Sequence, residues 1–329
     1  MTYLLRRLLH VLAVVVISTS LGFFVLHVVP GDPLGRSTEQ VGRSAEVRQQ
    51  LQARYGLNQP MLTQYGSFVK RAAVGDWGNS LGSGRPVTVA LKEALSNSLM
   101  LSGTGLFLAV VFGMGIGALQ GWKPHSVLGR ILGSTITALY VIPEFILAIG
   151  LIFLFAYQWS LFPIGGLMDP VLSLDGSVAQ KFRDRLWHLA LPAITLAIGW
   201  GAAVARQQRN ALLEVRGENY VRTAHAKGLS ERLVFFRHVL PTALPPVVVV
   251  IGLMLPVLVG GAVVVETVFA WPGLGSLVLK AINARDYPMV SGAIVLTGVV
   301  VAASSVLTDA VLVALNPRLR GASVAGVNS

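Results

Sequence analysis

Long apolar runs separated by short polar segments dominate the chain, and their lengths predict membrane-spanning helices. An α-helix needs roughly 20 predominantly apolar residues to cross the hydrocarbon core of a bilayer. Six spans are predicted. They cover residues of about 8–29, 98–120, 131–157, 186–205, 244–265 and 290–315. The pattern therefore predicts an all-α polytopic membrane protein.

A polar segment of 30–96 follows the first span and is too long to be a plain connector, so it should carry structure of its own. Apolar positions at helical spacing predict an amphipathic helix over residues 61–74. We interpret the segment as an external cap and a contact surface for an external protein. The predicted divisions are a first span at 1–29, an external insertion at 30–96 and a core membrane domain at 97–329.

The segment 218–241 lies between two apolar runs and is unusually charged. It carries Glu218, Arg222, Lys227, Glu231, Arg232 and Arg237. A short helix is predicted at about 219–228, with Asn219 as its cap and Gly228 as its C-terminal stop. Tyr220, Val221 and Ala224 should share one face of it. Such a helix is typical either of a membrane-surface element or of a docking site for a soluble partner.

Composition excludes several classes of protein. Only 12% of the residues are charged and 53% are hydrophobic, whereas soluble domains have roughly 25% charged residues. The net charge of +11 arises mostly from basic residues beside the apolar spans, where they set orientation and attract anionic headgroups, so no nucleic-acid partner is expected. The absence of cysteine excludes disulfides, thiolate metal sites and a lipid anchor on cysteine.

The distribution of Lys and Arg predicts the orientation of the chain. The short loops and tails carry 13 such residues on the side that holds both ends and the 218–241 segment, against 5 on the other side. Positive residues are retained on the cytoplasmic side. Both termini and the charged segment are therefore predicted to be cytoplasmic.

Catalytic motifs are missing from the sequence. It contains no phosphate-binding loop of the G-x-x-x-x-G-K-[ST] type, no H-E-x-x-H and no G-x-S-x-G, so no intrinsic enzyme, cofactor or metal site is expected. Glu144 and Asp309 fall within predicted spans and are candidates for function, as is Glu266 at a span end. For Glu144, a structural role in a water-filled cavity is equally compatible. These carboxylates leave open a proton-coupled secondary transporter, although no inverted repeat supports one.

The charged segment resembles the cytoplasmic loop motif of binding-protein-dependent ABC importer permeases, EAA, three residues, Gly, nine residues, I-x-L-P. With Gly228 on the motif glycine, Arg222 to Ala224 occupy the EAA positions and Leu240-Pro241 the final LP. Arg222 and Thr223 differ from the first two residues of EAA, and His238 replaces the Ile of the general motif. These differences match the peptide and nickel subfamily, which reads YVRTA-x-AKG. Further agreements are VVPGDP at 28–33, RYGLNQP at 54–60, ETVFAWPGLG at 266–275 and ARDYP at 284–288, and NPRLR at 316–320 replaces the commoner DPR.

This resemblance implies the B-type permease subunit of a dipeptide or oligopeptide importer, with the six-helix fold of type I ABC importer permeases. The implied partners are a homologous C-type permease, two ABC ATPases that bind ATP and Mg, an extracytoplasmic peptide-binding lipoprotein and the lipid bilayer. The permease itself would bind no cofactor. The cargo stays open among dipeptides, longer peptides, nickel complexes and haem.

The resemblance also implies two functional segments. In the coupling helix, Tyr220, Val221 and Ala224 would form an apolar knob, Arg222 and Lys227 rim contacts, and Gly228 a turn with positive φ. At the outer end of the pore, the gate candidates are Glu266, Phe269, Trp271, Pro272 and Gly273. A packed interfacial loop with its tryptophan in the aromatic belt is the alternative for that stretch.

Overall fold

The computed structural model describes residues 2–28, 58–260 and 262–315. Within these ranges helices dominate and no β-strand forms, which confirms the predicted all-α class. Most of the first half of the predicted insertion, and the NPRLR stretch, lie outside the described residues. The predicted helix over 61–74 is present as Met61–Ala73.

Fourteen α-helices occur in the described ranges. They are α1 (Thr2–Val28), α2 (Met61–Ala73), α3 (Val87–Trp122), α4 (Val127–Val141), α5 (Glu144–Leu151), α6 (Pro170–Asp175), α7 (Val178–Arg216), α8 (Asn219–Ala226), α9 (Glu231–Val234), α10 (Leu240–Met254), α11 (Val257–Gly260), α12 (Val263–Val268), α13 (Leu274–Asn283) and α14 (Tyr287–Leu315). Two π-helical turns extend this series. Ile152–Gln158 continues α5, and Phe235–Val239 joins α9 to α10.

Membrane-spanning length and apolarity identify four candidate spans in the described residues. They are Val87–Trp122, Val178–Arg216, Glu231–Met254 and Tyr287–Thr308. A fifth is added if the bent pair Val127–Val141 and Glu144–Gln158 counts as one span. The described apolar stretch of α1, Val11–Phe24, is shorter than a full span. The count of six therefore stays a prediction.

The third predicted span is broken into two helices. Its two halves meet at an angle of 106° on either side of Ile142-Pro143. Proline lacks a backbone N–H and forces the preceding residue out of the helical region, and Ile142 is extended with φ −66° and ψ 124°. Pro143 then takes the N-cap position of α5. This local chemistry places Glu144 in the first turn of a new helix.

The fifth span starts earlier than the sequence predicted. The helical segment runs over Glu231–Met254 instead of 244–265, because the π-turn and the prolines at 241, 245 and 246 are accommodated within it. Pro241 lies in the first turn of α10, directly after the π-turn. The segment ends beside Pro256, and the residues beyond form the short helices α11 and α12.

The fourth span also begins earlier, at Val178. Ser177 accepts a hydrogen bond from the Gln180 backbone while the Gln180 side chain accepts one from the Ser177 backbone, a capping box visible in the sequence. The preceding carboxylates have structural partners. Asp169 caps α6, and Asp184 accepts a hydrogen bond from the Asp169 backbone at 2.7 Å.

The described residues fall into two compact units. The first draws on Met1–Ser98, Val259–Val263 and Pro272–Ala303. Within it, Tyr65 of α2 lies 2.6 Å from the Ser20 hydroxyl of α1, and its ring stacks on Phe24 at 5.3 Å. Asp286 accepts hydrogen bonds from the Ser80 hydroxyl and from backbone N–H groups, which fixes the start of α14 to the turn before α3.

The second unit draws on Leu99–Leu258, Val264–Trp271 and Ser304–Ser329. Its central helix is α7, against which α4, α5 and α10 pack. The later part of α3 also lies on α7, through glycines that leave room for direct backbone contact. Since α8 follows directly after α7, the conformation of this unit determines how the charged segment is held.

Candidate functional site

Helix α8 forms where the charged segment predicted it, but its cap differs. Glu218 takes the N-cap position with φ −68° and ψ 143°, and no side chain caps the helix. Asn219, the predicted cap, is already the first helical residue, and its carbonyl accepts a hydrogen bond from the Thr223 hydroxyl at 3.0 Å. The predicted cap was therefore wrong by one residue, because Glu218 already has extended backbone angles.

The C-terminal stop of α8 is confirmed. Gly228 has φ +76°, a left-handed conformation that glycine adopts without steric penalty. Its N–H donates to the His225 carbonyl at 2.9 Å, and the next N–H, of Leu229, reaches the Ala224 carbonyl at 3.4 Å. Glycine at this position lets the chain turn from α8 towards α9.

The apolar face of α8 is turned inward. Val221 is 2% exposed and Ala224 is 6% exposed. They belong to a buried cluster, which we call the loop cluster. Its members are Ala211, Leu212, Val215, Val221, Ala224, Val234, Val239 and Ala243. Val221 and Ala224 therefore do not fit the predicted role of direct contacts with a partner, because they hold α8 against its own chain.

The face of α8 that remains available is polar and basic. Arg222 and Lys227 are exposed, as the rim prediction requires. Tyr220 is 41% exposed, and its hydroxyl donates to the His238 carbonyl at 3.5 Å. His225 lies 3.7 Å from the exposed Glu231 carboxylate. Of the three predicted knob residues, only Tyr220 is presented outward.

Arg216 connects the end of α7 to α3, a role that the sequence did not reveal. Its guanidinium donates to the Gly121 carbonyl at 3.1 Å and lies 5.3 Å from the centre of the Trp122 ring. Trp122 packs edge-on against Phe235 at 5.0 Å. The sequence indicated Arg216 only as one more basic residue, since nothing local signals a cation–π partner almost a hundred positions away.

The predicted outer-gate stretch is tightly packed. Glu266, Phe269 and Trp271 are fully buried. The backbone N–H of Trp271 donates to the backbone carbonyl of Glu266 at 2.7 Å, and Ala270 between them has φ +49°. A buried Trp271 does not fit an exposed ring in an aromatic belt. The chain passes into the first unit at Pro272.

The remaining two gate candidates are fixed by hydrogen bonds around the start of α13. Asn97 donates to the Pro272 carbonyl at 3.0 Å. The Leu274 N–H, directly after Gly273, donates to the buried Ser98 hydroxyl at 2.7 Å. Backbone bonds of this kind hold the turn in one conformation. All five predicted gate residues therefore lie in or beside ordered packing.

We expect alanine at Gly165 to destabilise the packing of this glycine against Phe269 of the outer-gate stretch. The N–H of Gly166 donates to the Phe269 carbonyl at 2.8 Å, and a Cβ on Gly165 would collide with the same carbonyl oxygen. Overpacking of this kind costs about 1–3 kcal/mol. The temperature of thermal unfolding of the purified protein should therefore fall for Gly165→Ala. Gly133→Ala is the control, because a Cβ there meets open space; equal melting temperatures for the two variants would contradict the packing.

Of the two carboxylates predicted within spans, the structure describes the side chain of Glu144 only. Glu144 is the first residue of α5 and is partly exposed. Asp309 lies in α14, but its side chain is outside the description. Among the described residues, no group of three His, Asp or Glu side chains could hold a metal ion.

Comparisons with known proteins place these features in a family context. Residues 109–321 match the model described as binding-protein-dependent transport system inner membrane component, and residues 1–89 match the model of its N-terminal region. The chain is 34% identical to the dipeptide transport system permease protein DppB of Escherichia coli K12, covering 97% of this chain and 98% of the relative. It is also 34% identical to the oligopeptide transport system permease protein AppB of Bacillus subtilis, covering 96% and 98%.

The fold has a counterpart among solved structures. A chain of the MetNI methionine ABC transporter, in an inward-facing conformation, superposes with a TM-score of 0.55 and 22% identity. The match covers 70% of this chain and 98% of that chain.

Proposed function

Because the chain belongs to the family of binding-protein-dependent transport system inner membrane components, we propose that it is the B-type permease subunit of an ATP-driven peptide importer. The observation that carries this proposal is similarity along nearly the whole chain to two bacterial peptide permeases. Neither relative is named as a proton-coupled carrier. The predicted alternative of proton coupling through Glu144, Glu266 or Asp309 therefore has no support.

The permease requires partners to work. It would pair with a homologous C-type permease to enclose the pore and would receive cargo from an extracytoplasmic peptide-binding lipoprotein. Two ABC ATPases would supply energy and bind ATP and Mg, since the sequence has no phosphate-binding loop of its own. The excess of Lys and Arg supports a cytoplasmic location for α8 and both termini, on the side where such ATPases work.

Helix α8 is the proposed docking helix for one ATPase. Tyr220, Arg222 and Lys227 form the contact, while Val221 and Ala224 anchor the helix in the loop cluster. Since the cluster includes residues of α7 and α10, a displacement of α8 would carry both helices with it. ATP binding can drive this motion only if α8 binds the two states of the ATPase with different affinities.

Short peptides are the proposed cargo class. The two relatives are named for dipeptides and for oligopeptides, so the class has more support than any one length. The stretch Glu266 to Gly273 is proposed as the outer gate, with Trp271 as a packed plug residue. Glu144, at the break between α4 and α5, is proposed to face the pathway.

Single cysteines offer a direct test of docking, because the natural chain has none. In the purified complex, Tyr220→Cys and Lys227→Cys should crosslink to an ATPase subunit through a short bifunctional reagent. Val221→Cys is the matched control and should not crosslink, since that side chain is 2% exposed. If neither Tyr220→Cys nor Lys227→Cys crosslinked to an ATPase subunit, the proposal would be overturned. Peptide uptake that survives ATP depletion but stops when the proton gradient collapses would favour the alternative.

A further inference from the structure

The helices α3 and α7 touch through backbone at three successive turns. Gly113, Gly117 and Gly121 of α3 are spaced by four residues and face α7. A Cβ on Gly113 would lie 2.7 Å from the Gly201 carbonyl oxygen, and one on Gly117 would lie 2.5 Å from that of Ala205. Small residues allow such close approach between membrane helices. The side chains of Val204, Gln208 and Leu212 on α7 lie over these glycines, and α3 contributes no side chain of its own at the three positions.

Two glutamines beside this contact lack hydrogen bonds that buried amides normally make. Gln208 of α7 has no exposed surface, and within the described part of the chain neither its Nε2 nor its Oε1 has a hydrogen-bond partner. Gln120 of α3 is 2% exposed, and its Nε2 also lacks one. A buried polar group without a partner has given up its hydrogen bonds to water and gained none in return. The observed arrangement of α3 and α7 therefore carries an energetic penalty.

The position of the two amides relates them to α8. Gln208 precedes Leu212 by one helical turn, and Leu212 is a member of the loop cluster with Val221 and Ala224. On α3, Gln120 directly precedes Gly121, where a Cβ would lie 2.7 Å from the Leu212 Cβ. Any movement of α8 that is passed to α7 through Leu212 would therefore change the surroundings of both amides.

We propose that Gln208 and Gln120 are positioning residues for the transport cycle, and that they hydrogen-bond to each other in a second arrangement of α3 on α7. A primary amide both donates and accepts, so two such groups are mutually complementary. Because the three glycines carry no side chains, α3 can slide or rotate on α7 without moving side chains of its own at these positions. The second arrangement gains a bond that the first lacks, which narrows the energy gap between the two states. The movement of α8 by an ATPase rests on the proposed function. The lack of hydrogen-bond partners for the two amides is observed in the structure and does not rest on it.

The variant Gln208→Leu should change the melting temperature and the ATP hydrolysis rate in opposite directions. Leucine removes an unpaired amide from the observed arrangement and removes the bond from the second one. The purified permease should therefore melt at a higher temperature, while cargo-stimulated ATP hydrolysis by the assembled complex should fall several-fold. Gln207→Leu, at the half-buried neighbouring position, makes the same chemical change and should leave ATP hydrolysis near the wild-type rate. A lower melting temperature for Gln208→Leu would overturn the proposal, because it would mean that the amide is already paired.

A double-mutant cycle tests whether the two residues act together. If they bond to each other, Gln120→Leu combined with Gln208→Leu should reduce stimulated hydrolysis no further than either single change. Multiplying effects would contradict the pairing. The melting measurement needs no ATPase, so it separates this inference from the proposed function: a wild-type chain that recruits no ATPase would refute the latter, while the temperature shift would still decide the former.

Discussion

Valine at Gly117 should prevent the permease from accumulating in folded form, whereas valine at Gly115 should leave it near the wild-type level. A Cβ on Gly117 would lie 2.5 Å from the Ala205 carbonyl oxygen and 2.7 Å from the Gln208 Cβ. Backbone cannot move aside as a flexible side chain can, so α3 and α7 would have to separate along their length. Overpacking typically costs 1–3 kcal/mol, and separation of two helices adds lost contacts to that figure.

Gly115 provides a stringent control for this effect. It lies two residues away on the same helix, and a Cβ there meets nothing within 4 Å. Both variants carry the same loss of backbone freedom and the same β-branched side chain. Size-exclusion profiles of a fluorescent fusion should show at least a tenfold loss of the monodisperse peak for Gly117→Val only. Equal peaks for the two variants would mean that α3 does not lie on α7 as described.

Valine at Gly228 is expected to abolish the coupling of ATP hydrolysis to cargo. Gly228 has φ +76°, and a non-glycine residue in the left-handed region costs about 1–2 kcal/mol, with β-branched residues the least tolerated. The chain can relieve this strain only by re-aiming the turn that follows α8. In the assembled importer, stimulation of hydrolysis by cargo and binding protein should fall at least tenfold. The unstimulated rate, which belongs to the ATPases, should persist.

Asparagine at the same position separates conformation from side-chain bulk. Asparagine adopts positive φ more readily than other non-glycine residues, and a side chain at Gly228 would meet nothing within 4 Å. Gly228→Asn should therefore retain most of the stimulation that Gly228→Val loses. If both variants were coupled like the wild type, the turn would have no part in force transmission. If both lost coupling equally, bulk at a docked surface would be the cause instead of backbone conformation.

Local chemistry explains why much of the molecule was predictable. The left-handed turn at Gly228 follows from glycine's freedom, and the break before Glu144 follows from proline at 143. The early start of α7 was also encoded locally, in the capping box of Ser177 and Gln180. The comparisons confirm the family that the sequence motifs indicated. The six predicted spans differ from the four in the described residues, or five with the bent pair as one span, because a break at proline and the short apolar stretch Val11–Phe24 do not meet the length of a full span.

By itself, the sequence determined the helical class, the family and the place of the charged helix, because apolar periodicity, proline and glycine act within a few residues of their own position. Only the tertiary structure decided which faces are covered. Val221 and Ala224 are buried in one cluster with Leu212 and Val239, and Trp271 is also buried. Burial depends on residues that become neighbours only when distant helices pack, and no local pattern records those encounters.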